Sequence, residues 1–210
     1  MAVKHRSAVK LSRKLGVALT PKAARIMAKK AAGPRRRGAP GGRAPGGRGR
    51  MSDYKVRFLE KQKLRAQYDI REQPLRNYFE KARGRASIQK LNMSEALIQL
   101  LERRLDAVTL RGGLAVTIYA ARQLVSHGHI LVNGKRVDAP SCLVEIGDVV
   151  SVKPKSLTLP VIVETVESAQ PPLYLELDKE KRSVRLTRLP QRDEVPVICD
   201  MAMVVEFYSR

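Results

Sequence analysis

Residues 122–137 read RQLVSHGHILVNGKRV, and no other stretch restricts the fold so tightly. A helical pattern runs to Gly128, a natural residue just past a helix end because it takes the left-handed conformation without a Cβ penalty. Ile130, Leu131 and Val132 then read as a strand. Asn133-Gly134 is the strongest short hairpin signal, since both residues accept the positive φ of a type I′ turn. Lys135, Arg136 and Val137 return. Upstream, Thr117 caps the helix. That start turns Ile118, Ala121, Leu124 and Val125 inward and Arg122, Gln123 and Ser126 outward.

The flanks extend this module. CLVEIGDVVSVK (residues 142–153) supplies two further strand pieces around Gly147-Asp148. MSEALIQLLERRLDAVTLRGG (residues 93–113) reads as one helix capped by Ser94, with Leu97, Leu101, Leu105 and Val108 as its core stripe and Gly112-Gly113 as its end. The expected class is α+β: a mostly helical domain, a module of two short helices with a small antiparallel sheet, and a basic, largely irregular N-terminal arm.

Charge says what such a module meets. The 210 residues hold 41 Lys and Arg against 20 Asp and Glu, a formal net charge of +21. An excess this large points to a polyanion. It is concentrated at the start: residues 1–50 hold 15 basic residues and no acid, and residues 161–210 hold 7 against 9 acids. Residues 31–50 contain only Ala, Gly, Pro and Arg. They cannot bury enough apolar surface to form a core, and the whole of residues 1–50 is expected to be mostly disordered alone and ordered on RNA. Lys10, Arg13 and Lys14 lie in KLSRKLG, which has two leucines to dock it. They join Arg35, Arg36, Arg37 and Arg50 as candidate RNA-binding residues.

From Ser52 a helix is expected, with Ser52 as N-cap and Asp53 in its first turn. At 100° per residue, Tyr54, Arg57, Lys61, Arg65 and Tyr68 share one sector, opposite Leu59, Val56 and Ala66. Cations flanked by rings suit phosphates and bases; the bland alternative is a solvated charged face. A second short helix is expected near Pro74, adding Arg76, Tyr78 and Lys81.

Several classes are excluded. No apolar run approaches a transmembrane length, and the basic start lacks the apolar core of a signal peptide. Cys142 and Cys199 alone give neither a disulfide framework nor a zinc quartet, which suits a reducing cytosol. His127 and His129 lack the further partners that a metal needs. No cofactor, metal or membrane is expected. A DNA-packaging protein needs only charge, not an Asn-Gly hairpin module.

RLDAV, ARQLVSHGHILVNGKRV and VEIGDVVSV resemble the S-four RNA-binding domain. LSRKLG, SDYKVRFLEKQKLRAQYDIREQPLRNYFEKA and the terminal VVEFYSR resemble, in the same order, the bacterial small-subunit ribosomal protein family after which that domain is named. The resemblance implies a basic arm (residues 1–50), a first helical part (51–100), an S-four domain (101–165) and a C-terminal segment packing back on the helical part (166–210). It implies RNA contacts from Arg111, Thr117, Arg122, Gln123, Ser126, His127, His129, Asn133, Gly134 and Lys135. Val205, Glu206 and Tyr208 are expected to face a protein.

By the same resemblance, a ribosome-bound cytoplasmic protein is expected. It binds small-subunit ribosomal RNA at a helical junction, nucleates subunit assembly and influences translational accuracy. It contacts the ribosomal protein S-five and acts functionally with S-twelve; its own messenger RNA is a second possible partner. No catalysis is expected. The RLD of residues 104–106 also surrounds the catalytic Asp of pseudouridine synthases, but there it follows the S-four domain. The chain departs from the family at TIYAAR (residues 117–122), where Ile118 and Ala120 stand for the usual Arg and Glu. An Arg at position 118 is expected to tighten binding. The N-terminal zinc cysteines of some members are absent.

Overall fold

The computed structural model describes residues 7–32 and 51–209. In chain order the helices and strands are α1 (Ala8–Leu15), α2 (Pro21–Ala32), α3 (Asp53–Gln67), α4 (Glu72–Gln89), α5 (Met93–Glu102), α6 (Leu105–Arg111) and α7 (Ile118–Ser126). There follow β1 (Ile130–Val132), β2 (Lys135–Arg136), β3 (Val149–Val152), α8 (Pro160–Ser168), β4 (Leu175–Asp178), β5 (Ser183–Leu186) and α9 (Met201–Ser209). The fold is mixed α+β, as expected. The described residues divide into two compact units, one from residues 7–32, 51–66 and 198–209 and one from residues 67–197.

In the first unit, α1 and α2 pack on one another. Leu15, Val17 and Ala23 are buried, while Lys10, Arg13 and Lys14 are exposed. Ser12 donates to the Ala8 carbonyl and accepts from the Leu19 amide, tying α1 to its following turn. Residues 8–15 and 21–32 of the arm expected to be largely irregular are thus helical, because Leu15, Val17 and Ala23 give those stretches a small buried core. The other pair in this unit is α3 with α9. The Asp200 amide donates to Glu60 at 2.9 Å, and the Asp200 carboxylate caps α9 through the Ala202 and Met203 amides.

The second unit is built on one antiparallel sheet of order β2-β1-β3-β5-β4. The sheet runs on to residue 186, since Val184 and Leu186 alternate inward and carry β5 onto β3. The expected leucine stripe is the core: Leu97, Leu101, Leu105 and Val108 are all fully buried.

That stripe is not one helix, however. The chain breaks at Arg103 and Arg104, where Arg104 is extended (φ −65°, ψ 140°). The backbone of residues 103–106 pairs instead with residues 140–144: Val144 N–H donates to the Arg103 carbonyl, Leu105 N–H to Cys142, and Asp106 N–H to Pro140. Four residues from Leu101 to Leu105 keep the inward phase across the break, so periodicity cannot reveal it. The 142–144 segment makes only this bridge and is not a full strand. One cap and one helix length also differ from expectation. Asn92, not Ser94, caps α5, accepting from the Ser94 amide. Pro74 lies inside the first turn of an 18-residue α4 that packs on α5.

Candidate nucleic-acid interface

The α7–β1–β2 module forms as its residues dictate. Thr117 caps α7 by accepting from the Ala120 amide at 3.2 Å. The helix closes with Gly128 at φ +71°, and the His129 amide reaches back to the Leu124 carbonyl at 2.9 Å. This is the reversed bonding of a glycine-terminated helix. Asn133 and Gly134 take φ +49° and +77°, the signature of a type I′ turn. Ile118, Ala121 and Val125 are buried, whereas Leu124 is half-buried.

Of the expected RNA-facing residues, Gln123, Ser126, His127, Asn133, Gly134 and Lys135 are exposed. Ser126 donates to the Arg122 carbonyl, and His127 lies 6.1 Å from the His129 ring. His129 is half-buried and shares a 2.8 Å hydrogen bond with Ser156. Asn133 is exposed but fully engaged: Nδ2 donates to Asp148 at 2.8 Å and Oδ1 accepts from the Val149 amide at 2.9 Å.

Two expected contacts are turned inward. Arg122 is not an open cation: it donates to the Asp69 carbonyl and carboxylate, and its Nε lies 3.8 Å from Asp106. Arg111 is forked onto the buried Glu102 carboxylate, which also accepts from Tyr68 (2.5 Å) and Tyr174 (2.8 Å). Burial disfavours the Arg111 cation, but Glu102 outweighs it and lifts its pKa. Asp106 of the RLD stretch is fully buried and forked with Arg104, with Tyr78 accepting from the same guanidinium. Burial raises the Asp106 pKa.

The stripe on α3 is corrected more deeply. Tyr54 is exposed at 65%, but Lys61 is 4% and Tyr68 2% exposed. Arg57 is ion-paired to Glu206 at 2.8 Å, and the Lys61 ammonium sits 4.1 Å above the Phe207 ring. Tyr54 packs against Phe207 with ring centroids 5.7 Å apart. The sector drawn as a nucleic-acid face is therefore covered by α9 along Arg57 and Lys61. A cation over aromatic rings can be buried where an unpaired one cannot. Glu206 and Tyr208, expected to face another protein, lie over this same face; the Lys61 ammonium is 5.6 Å from the Tyr208 ring. Val205 beside them is half-buried. Arg65 is half-buried, and Arg76 and Lys81 of α4 are exposed. Arg35, Arg36, Arg37 and Arg50 lie outside the described residues.

Residues 4–102 match the family described as ribosomal protein S4/S9 N-terminal domain, and residues 103–150 match the S4 domain. Over 215 residues, all of both chains, the sequence is 46% identical to the small ribosomal subunit protein uS4 of Streptomyces coelicolor. The chain belongs to the uS4 family. The uS4 protein of Beutenbergia cavernae is 47% identical over 211 residues, 98% of this chain and 97% of its own. That of Micrococcus luteus is 46% identical over 214 residues, 99% and 98%. A uS4 protein is a ribosomal component and not an enzyme.

Within this uS4 chain the departure at Ile118 has a structural meaning. Ile118 is 3% exposed, so an Arg there meets packed side chains rather than phosphate. Sequence reasoning also passed over Arg136. Its guanidinium lies across Gly128, so that a Cβ at Gly128 would stand 2.3 Å from Arg136 Nε. The signal was available: Arg136 follows directly on the Asn-Gly turn, and the turn folds it back to the helix end.

Proposed function

We propose that the chain is a structural constituent of the small ribosomal subunit that binds ribosomal RNA. The observation that carries this is the exposed polar edge of the S4-domain module. Gln123, Ser126 and His127 on the helix end adjoin Gly134, Lys135 and Arg136 on the hairpin, with few acids among them. A-form RNA offers phosphates and sugars rather than readable base edges, so shape and charge suffice. Exposed Lys10, Arg13 and Lys14 on α1 and Arg76 and Lys81 on α4 add cations elsewhere on the chain. The protein grips a helical junction and nucleates assembly of the subunit body. It stands in the cytoplasm, ribosome-bound. The acidic balance of residues 161–210 suits a neighbouring basic protein such as S-five, and through it, with S-twelve, an influence on accuracy. Its own messenger RNA is a second ligand for the same edge.

Chemical footprinting of the full chain on small-subunit ribosomal RNA tests this, with duplex DNA as competitor at equal salt. The expected result is protection localised to a junction and weak competition by DNA. Equal affinity for both polymers overturns the reading.

A further inference from the structure

We infer that Asn133 is a deamidation site whose reaction the fold restrains through Asp148, and whose product breaks the contact that restrains it. An asparagine followed by glycine is the pair most open to this chemistry, because no side chain shields the following peptide nitrogen. Both residues are exposed, and no atom lies within 4 Å of where a Gly134 Cβ would stand. The Gly134 nitrogen attacks Asn133 Cγ. The carboxamide nitrogen takes up the amide proton and leaves as ammonia, and a cyclic succinimide remains. Water then adds to one of its carbonyls and opens it to aspartate or isoaspartate.

The attack requires the Asn133 carboxamide to swing over the Gly134 nitrogen. It is held elsewhere. Nδ2 donates to Asp148 Oδ1 at 2.8 Å, and Oδ1 accepts from the Val149 amide at 2.9 Å. The Asn133 amide donates to the Val149 carbonyl as well. Asp148 is itself fixed, since its Oδ2 accepts from the Glu145 amide at 2.8 Å. Reaction therefore waits on release of the side chain. Once it occurs, aspartate at 133 sets an acceptor against the Asp148 carboxylate, where a donor stood, so two anions face each other. Isoaspartate also lengthens the backbone inside a tight turn. The product cannot rebuild the contact, so the change runs one way.

The test follows amide loss at Asn133 by peptide mass spectrometry of the full chain held at neutral pH. The wild type should react at least about tenfold faster in denaturant than in the folded state. Asp148→Ala should react faster than folded wild type by a comparable factor, the size expected for losing a hydrogen bond to a charged acceptor. Asp148→Asn, which keeps one acceptor oxygen where Asp148 uses two, should react at a rate between those of folded wild type and Asp148→Ala. Asn133→Asp should lower the melting temperature, and adding Asp148→Asn should restore it by reversing donor and acceptor. Equal wild-type rates folded and unfolded overturn the proposal. So does an Asp148→Ala protein that melts normally and reacts no faster than wild type. None of these measurements depends on RNA binding.

Discussion

Arg122 donates to both the backbone carbonyl and the carboxylate of Asp69, a residue 53 positions earlier in the chain that holds a left-handed φ of +48°. The same guanidinium approaches Asp106, which is forked to Arg104. One side chain of α7 thereby ties down the turn ahead of α4 and meets the buried ion pair at the start of α6. A non-glycine residue in that backbone region costs on the order of 1–3 kcal/mol and persists where its surroundings hold it.

Arg122→Ala should therefore lower stability, by about 1–3 kcal/mol for a charge-assisted contact that is partly solvated. The outward orientation expected from helical phase alone would have left the fold untouched. Urea unfolding decides it: an unchanged midpoint means that the tether adds no stability. Arg122→Lys should recover only part of the loss, because an ammonium cannot fork between carbonyl and carboxylate.

Ile118→Arg should now destabilise rather than tighten RNA binding. The site is nearly closed, and burying a guanidinium without a partner is costly. A melting temperature equal to wild type, together with tighter binding, would restore the original expectation.

Glu102 is the acceptor for three donors: Tyr68, Tyr174 and Arg111. Removing it strands a buried guanidinium and two phenols. Glu102→Ala should cost about 3–5 kcal/mol, the scale for breaking a buried ion pair. Tyr68→Phe and Tyr174→Phe should each cost less, about 1–3 kcal/mol, since Glu102 keeps its other donors. Denaturant melts of the three variants check the order; a tyrosine variant as damaging as Glu102→Ala contradicts it.

Arg188, hydrogen-bonded to Glu194, holds that carboxyl down at about 2 against an ordinary 4.5, and the Gln191 amide assists. A depressed carboxyl in the folded state means that the unfolded state binds the proton first. The contribution to stability is therefore complete above pH 4.5 and is lost as pH falls towards 2. Thermal melts across that window should show a slope that Glu194→Gln reduces. An identical slope in both proteins assigns the acid loss elsewhere.

How far each feature could be foreseen follows the distance over which it is decided. Gly128 and Asn133-Gly134 settle their own backbone within four residues, so helix end and hairpin were legible. The break at Arg103 and Arg104 was not, because the pairing that compensates it comes from residues 140–144. Lys61 and Tyr68 looked like parts of an outward basic stripe because helical phase reports that residues share a face, not what covers it. Phe207 covers Lys61 from the far end of the chain, and Glu102 receives Tyr68 from another helix. Charge marked the partner class; burial of individual cations was decided by long-range contacts.

The cations of α3 and of the hairpin differ in what covers them. Lys61 lies over Phe207 with Glu206 and Glu60 nearby on the same α3–α9 pair, whereas Lys135 is exposed on the hairpin. Lys61→Glu sets a carboxylate against ring faces that favour cations. It should loosen α9, lowering the melting temperature and exposing residues 201–209 to protease. Lys135→Ala should leave melting unchanged. It should reduce the slope of log affinity for RNA against log salt by roughly 0.7–0.9, the increment for one lost phosphate contact. Melting and salt titration of both variants give the answer together. If Lys61→Glu melts like wild type and alone flattens the salt slope, α3 is the phosphate-binding face after all and α9 does not shield it.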